Sequence, residues 1–197
     1  MRRRYPAIIP ALVVKVRGSA LQARLRYLGD RADAAARESI FAALQPATRA
    51  IFEKPIDVTA WYPFEAFVDV NVVMDRLLGI GDLQLCYDVG RYAAQLNLPA
   101  FYRAILSLGS VPFVLRRAAG MWSDHYDSGT LDVTETEGRV LTMRILGFET
   151  PHRAHCRAVA GWAAQVVEMV GAKTGPPLER VCESMGGPWC EWAIRYA

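Results

Sequence analysis

The hydrophobic period of this chain switches near residue 129 from helical to alternating, and that switch dictates a mixed fold. Up to about residue 125, apolar side chains recur every three to four positions, as on the buried stripe of a helix. The segments are 19–28, 34–44, 48–53, 63–78, a helix opened by Gly81-Asp82, then 100–108 and 111–125. Tyr62 is held extended by the proline after it, while Pro63 suits a first helical turn. Past residue 129 the pattern alternates over 130–136 and 139–146 around Glu137-Gly138, which predicts a β-hairpin. Helical spacing returns over 151–170, with Thr150 expected as N-cap, Pro151 in the first turn and Gly171 as the stop. A second hairpin pairs 178–184 with 190–196 across Met185-Gly186-Gly187-Pro188. The expectation is one α+β domain. Residues 1–17 form an N-terminal strand or arm, 18–128 a helical part, and 129–197 a hairpin, a long helix and a hairpin. The strand pairs make a small antiparallel sheet packed on the long helix.

Charge removes one large class of function. The 23 basic and 20 acidic residues leave a net charge of only +3, and adjacent basic residues occur only at Arg2-Arg3-Arg4 and Arg116-Arg117. A phosphate-binding groove needs clustered Lys and Arg, so nucleic acid is not an expected partner. Arg2 to Arg4, an apolar stretch and Ser19-Ala20-Leu21-Gln22-Ala23 imitate a secretion signal, but Pro6 and Pro10 break the stretch and Lys15 and Arg17 follow it. No stretch approaches the ~18 apolar residues of a membrane span, and a cytoplasmic location is expected.

Four cysteines, Cys86, Cys156, Cys182 and Cys190, are too sparse for a secreted disulfide framework. Cys156 falls in the first turn of the 151–170 helix, where backbone amides favour a thiolate. Cys182 and Cys190 lie on the two strands of the last hairpin with seven residues between them, so their side chains can face each other. Glu179 precedes Cys182 by three residues. In a regular strand those two point to opposite faces, so Glu179 joins the cysteines only through a bulge or by preceding the strand. Three sulfurs and a carboxylate satisfy tetrahedral Zn²⁺, but spacing alone, without a C-x-x-C knuckle, favours buried, unligated thiols.

The order Cys156, Gly161-Trp162-Ala163, Glu179-x-x-Cys182 and Gly187-Pro188-Trp189-Cys190-Glu191-Trp192 resembles the C-terminal half of the 4-vinyl reductase domain. That domain shares its fold with heme–nitric-oxide-binding sensors and with vesicle-tethering subunits of the transport-protein-particle type. The resemblance runs over residues 15–196 and is strongest over 150–192. Trp61-Tyr62-Pro63, Gly90-Arg91-Tyr92-Ala93, Leu115-Arg116-Arg117 and Tyr126-Asp127-Ser128-Gly129 extend it towards bacterial members of the group. It implies a zinc ion held by Cys156, Glu179, Cys182 and Cys190, structural rather than catalytic because four protein ligands leave no open position. It also implies that heme is absent: 108–113 carries no histidine where the heme-binding relatives place their proximal ligand. Tyr126-Asp127-Ser128-Gly129 likewise lacks the arginine of their propionate-gripping motif.

Other chemistry is thin. Gly79-Ile80-Gly81-Asp82 has too few glycines and no lysine for a phosphate loop, and no G-x-S-x-G elbow occurs. His152 and His155 flank Cys156, but two histidines at a helix start are expected at the surface or behind a metal ligand. The chain is therefore not expected to be an enzyme. Aromatic residues gather in the helical part, and a pocket there for a small hydrophobic molecule is expected to be lined by Tyr102, Phe113, Trp122 and His125. Two functions follow. One is a sensory, ligand-binding domain that signals through a separate protein partner. The other is a protein-interaction scaffold, a homodimer without a ligand.

Overall fold

The computed structural model describes residues 13–97 and 110–197. The described residues form eight α-helices, one 3-10 turn and six strands. A short ribbon opens the fold: β1 (Lys15–Arg17) pairs antiparallel with β2 (Trp61–Pro63), Val16 opposite Tyr62. The expected strand over 8–16 is thus described only from its end, and it continues to Arg17. Between the ribbon strands run α1 (Gly18–Arg31), α2 (Ala34–Ala43) and α3 (Pro46–Phe52). Asp33 caps α2 by accepting from the Ala36 amide at 2.8 Å. The helix α4 (Phe64–Leu78) follows with Pro63 as its N-cap, and α5 (Gln84–Asn97) closes the first half.

The expected helix over 111–125 is two pieces, α6 (Val111–Ala119) and α7 (Trp122–His125). The break falls at Gly120, whose high backbone entropy makes it a poor helix former. The turn there sends the Trp122 indole inward, where its N–H donates to the Ser128 carbonyl at 2.9 Å. The helix expected over 100–108, and Tyr102 with it, lies outside the described residues.

Strands β3 (Thr130–Thr136), β4 (Val140–Leu146), β5 (Leu178–Val181) and β6 (Cys190–Arg195) make one antiparallel sheet in the order β3-β4-β6-β5. Leu141, Met143 and Ile145 of β4, with Trp192 and Ile194 of β6, point from one face into the core. That core is shared with α8 (Arg153–Met169), which lies between the sheet and α5. A helix buried nearly all round carries small apolar side chains, and α8 buries Ala154, Ala158, Ala160, Gly161, Ala163 and Ala164. Its start differs from the expected Thr150 cap. His152 is the N-cap and its Nδ1 accepts from the Ala154 amide at 3.1 Å, leaving Pro151 outside the helix.

Helices α5 and α8 approach each other backbone to backbone. A Cβ placed on Gly90 falls 2.0 Å from the Ala158 carbonyl oxygen, and one on Gly161 falls 1.9 Å from that of Tyr87. Two glycines facing each other's helix bring backbone against backbone. This contact sets the depth at which α8 sits, and α8 carries both sites described next. A second, smaller core of Leu28, Ile40, Leu44, Val70, Val73, Met74 and Val89 ties α1, α2, α4 and α5 together.

Candidate functional site

Two sites flank the first half of α8. On the helical side, His155 is buried and surrounded by rings. Its imidazole lies 4.8 Å from Tyr126 and from Phe148, 5.0 Å from Phe64, and 5.8 Å from Phe67 and from Trp122, centroid to centroid. Nε2 has no hydrogen-bond partner. Burial, followed by the charges of Arg24 and His152, pushes its pKa down to about 3, so the ring is neutral at physiological pH. This corrects the expectation that His155 is a surface or outer metal-site histidine. It occupies the inward stripe of α8 with Val159 and Trp162, and the aromatic residues of α4, α7 and the 126–148 segment converge on it.

Beside this box lies a cavity of about 80 Å³, partly open to the surface. Its walls come from α1 (Ala20, Arg24), α5 (Gly90, Ala93), α6 and α7 (Ala118, Trp122, His125), Leu131 of β3, and α8 (Ala158, Val159, Trp162). Of the four expected pocket residues, Trp122 and His125 line this cavity. Phe113 does not: it sits on the outer face of α6, 56% exposed, because the inward positions of that helix are taken by Val111, Val114, Leu115 and Ala118. Tyr102 is not among the described residues. The most polar wall residue, Arg24, was not anticipated. Ala20, Leu21, Arg24 and Leu28 share the buried stripe of α1, so helical periodicity contains the signal that puts this arginine inside.

On the sheet side, Cys156, Cys182 and Cys190 converge, their sulfurs all within 4.8 Å of one another and all buried. Cys156 Sγ and Cys190 Sγ are 3.3 Å apart, and the Glu183 amide donates to Cys190 Sγ at 3.4 Å. Cys182 contacts the Ser184 hydroxyl at 3.0 Å. Bonds of ~2.3 Å to a tetrahedral zinc separate two sulfurs by roughly 3.8 Å, and the trio, with distances from 3.3 Å to no more than 4.8 Å, is near that spacing. The expected thiolate at Cys156 is corrected. Its hydrogen bonds with Cys182 and Cys190 and its burial raise its pKa, whereas Cys182 is lowered to about 5. The contact with Cys156 first, then Ser184 and the Arg153 charge, favour the Cys182 anion over burial's opposite pull. The first-turn position of Cys156 supplies little, since its own amide bonds the His152 carbonyl.

Glu179 is placed elsewhere. The bulge that its spacing required is present, between Glu179 opposite Trp192 and Val181 opposite Glu191. The carboxylate nevertheless goes to Arg153, whose guanidinium donates to its two oxygens at 2.8 and 3.4 Å. The charge pair on the helix end wins it from the sulfurs, so three ligands rather than four gather here among the described residues. Cys86 stands apart on α5, donating to the Asn71 carbonyl at 3.6 Å.

No protein-family model matches the chain, and no curated protein matches its sequence. Solved structures do share its fold. The Fe(II) unliganded H-NOX protein of K. algicida superposes with a TM-score of 0.69 at 11% identity, over 92% of this chain and 96% of that one. An H-NOX protein of S. oneidensis in the Fe(II)NO ligation state gives 0.69 at 9% identity, over 92% and 99%. The H-NOX domain of Shewanella oneidensis in the Fe(II)CO ligation state gives 0.67 at 12%, over 92% and 98%. The chain therefore has the heme–nitric-oxide-binding fold, as the α+β expectation and the broader part of the resemblance had it. At such identities the likeness is one of fold. The expectation that heme is absent from this chain is corrected by these structures of the same fold, which hold Fe(II). Among the described residues, however, the interior as packed does not fit a porphyrin. The 80 Å³ cavity is well under the ~300 Å³ at which drug-sized ligands begin to fit, and His155 is walled in by five rings.

Proposed function

We propose that this chain is a non-catalytic sensory domain whose cavity between α1, α5, α7 and α8 takes a small molecule and whose output passes to a separate protein partner. The observation that carries this reading is a partly open, mostly apolar cavity with a few polar side chains, Arg24, His125 and Tyr126, on its walls. Its placement in a fold whose solved examples carry Fe(II), CO and NO supports it. All four helices that enclose the cavity change partners if they shift, so a ligand that prefers one packing biases the domain by its differential affinity. The cysteine trio serves a different end. It is a clasp for a thiophilic ion such as zinc, fixing β5 and β6 against the start of α8, and the resemblance to the 4-vinyl reductase domain supports that use. Bound metal contributes folding free energy there rather than reactivity.

Native mass spectrometry of protein purified under mild conditions, with elemental analysis that includes iron and zinc, tests the reading. The expected result is a small molecule bound per chain that is lost in Ala118→Leu, which fills the cavity. A chain that carries no small molecule and whose melting temperature no candidate ligand raises would refute it, because occupancy at 100 times Kd stabilises by about 2.7 kcal/mol.

A further inference from the structure

Arg24 is an arginine buried in the protein interior with no acidic partner. It is 3% exposed. Its Nε donates to Asn71 Oδ1 at 3.3 Å and its Nη1 to the Ala20 carbonyl at 3.0 Å, both neutral acceptors. The guanidinium lies over the Phe67 ring at 4.1 Å from the centroid, a contact that holds the group in place but brings no net charge. Five Arg–Glu salt bridges occur among the described residues, and none involves Arg24. Residues 1–12 and 98–109, outside the described region, contain no aspartate or glutamate, so they supply none either. The one fully buried acid of the helical half, Asp75, is committed to the amides of Leu83 and Leu85 at 2.8 and 3.0 Å. Burial lowers the Arg24 pKa to about 10, which still leaves it a cation at neutral pH.

A desolvated cation without a counter-charge is costly, and such groups are normally paired. The arginine presents five N–H donors, of which two are placed on protein acceptors, and it lines the cavity. His125 lines the same cavity and its Nδ1 is buried without a partner. Tyr126, a neutral phenol close to Arg24, is the third polar wall residue; the rest is chiefly apolar, made by Met121, Trp122, Leu131, Val159 and Trp162, and no carboxylate faces the space. We propose that the cavity binds a small organic monoanion, a carboxylate on a short apolar body, with Arg24 as its buried counter-charge and His125 as a second polar contact. The inference rests on the ligand-binding reading above and specifies the ligand's chemistry. The volume limits the body to a few carbons, since a cavity of ~150 Å³ is what holds benzene.

The test is a titration of ¹⁵N-labelled full-length protein with butyrate, 1-butanol and butylamine, which share a chain length and differ in charge. The indole N–H signals of Trp122 and Trp162 report on the cavity. Butyrate is expected to shift both signals and to bind about ten- to a hundredfold more tightly than butanol, the range a charge-assisted hydrogen bond confers. Butylamine should be the weakest of the three. Arg24→Met should bring butyrate down to the butanol level. If that variant does not fold, Arg24→Gln, which keeps a hydrogen bond to Asn71, serves in its place, and the comparison on the unmodified protein stands by itself. Butanol binding as tightly as butyrate at these indoles would overturn the anion inference while leaving the ligand cavity intact. Butyrate shifting only surface signals would also overturn it. If none of the three compounds moves either indole, the anion inference and the ligand reading fall together.

Discussion

Substituting Gly161 by alanine is the sharpest test of the packing that positions both sites. On helix propensity alone the change is favourable by roughly 1 kcal/mol. The structure reverses the sign. The new methyl would lie 1.9 Å from the Tyr87 carbonyl oxygen, which is backbone of α5 and has no rotamer to escape into. Ordinary contact needs roughly 1.5 Å more, so α5 and α8 must part by about that distance. Parting them loosens Tyr87, Ala94, Ala158 and Ala164, all in the main core, and overpacking of this kind costs about 1–3 kcal/mol or more. With the cost at the upper end of that range, a net loss of about 2 kcal/mol remains for Gly161→Ala after the propensity gain, and a similar loss for Gly90→Ala, which meets Ala158 O at 2.0 Å. The double variant should cost less than the sum, because helices already forced apart by one methyl accept the second more easily. Gly29→Ala is the internal control. It lies in α1 with nothing within 4 Å of the added Cβ, and should stabilise by about 0.4–1 kcal/mol. Urea unfolding followed by tryptophan fluorescence gives all four values. If Gly161→Ala proved as harmless as Gly29→Ala, the backbone contact between α5 and α8 would be refuted.

Further predictions concern the cysteines and the buried histidine. Cobalt(II) added to metal-free protein should produce an intense thiolate-to-cobalt charge-transfer band that Cys182→Ser removes, while Glu179→Gln leaves it in place because that carboxylate is tied to Arg153. Cys86 is buried, with desolvation first and the Asp75 charge second raising its pKa to about 12. A raised folded pKa contributes stability that is whole below the unfolded value near 9 and is lost as pH climbs towards 12, so about 1.4 kcal/mol should be gone by pH 10. Denaturation curves at pH 8 and 10 check this, and in Cys86→Ala that part of the alkaline loss should vanish. His155→Phe removes a buried nitrogen without a partner from an aromatic box and should raise stability by about 1 kcal/mol, read as a higher urea midpoint.

The fold class was legible in the sequence because its main signals are local. The change from a 3.6-residue to a two-residue period marked β3 and β4 to within a residue, and the apolar run over 151–170 marked α8. The convergence of Cys156, Cys182 and Cys190 was also within reach, since a hairpin register and a helix start place all three. What the chain order could not reveal depends on competition between groups distant in sequence. Glu179 is taken by Arg153, 26 residues away, and the pKa of Cys156 is raised while that of Cys182 is lowered through contacts that the three cysteines make with one another. Phe113 carries the same helical spacing as its neighbours, yet faces outward because four smaller residues of α6 already fill the inner side. The period of the hydrophobic pattern, a property of each segment alone, determined which elements form. That period also set Arg24 on the inner stripe of α1. Only the packing decided that it would have no counter-charge and that His155 would be walled in by rings, because solvent exclusion and the choice of partners arise from the whole assembly of helices and sheet.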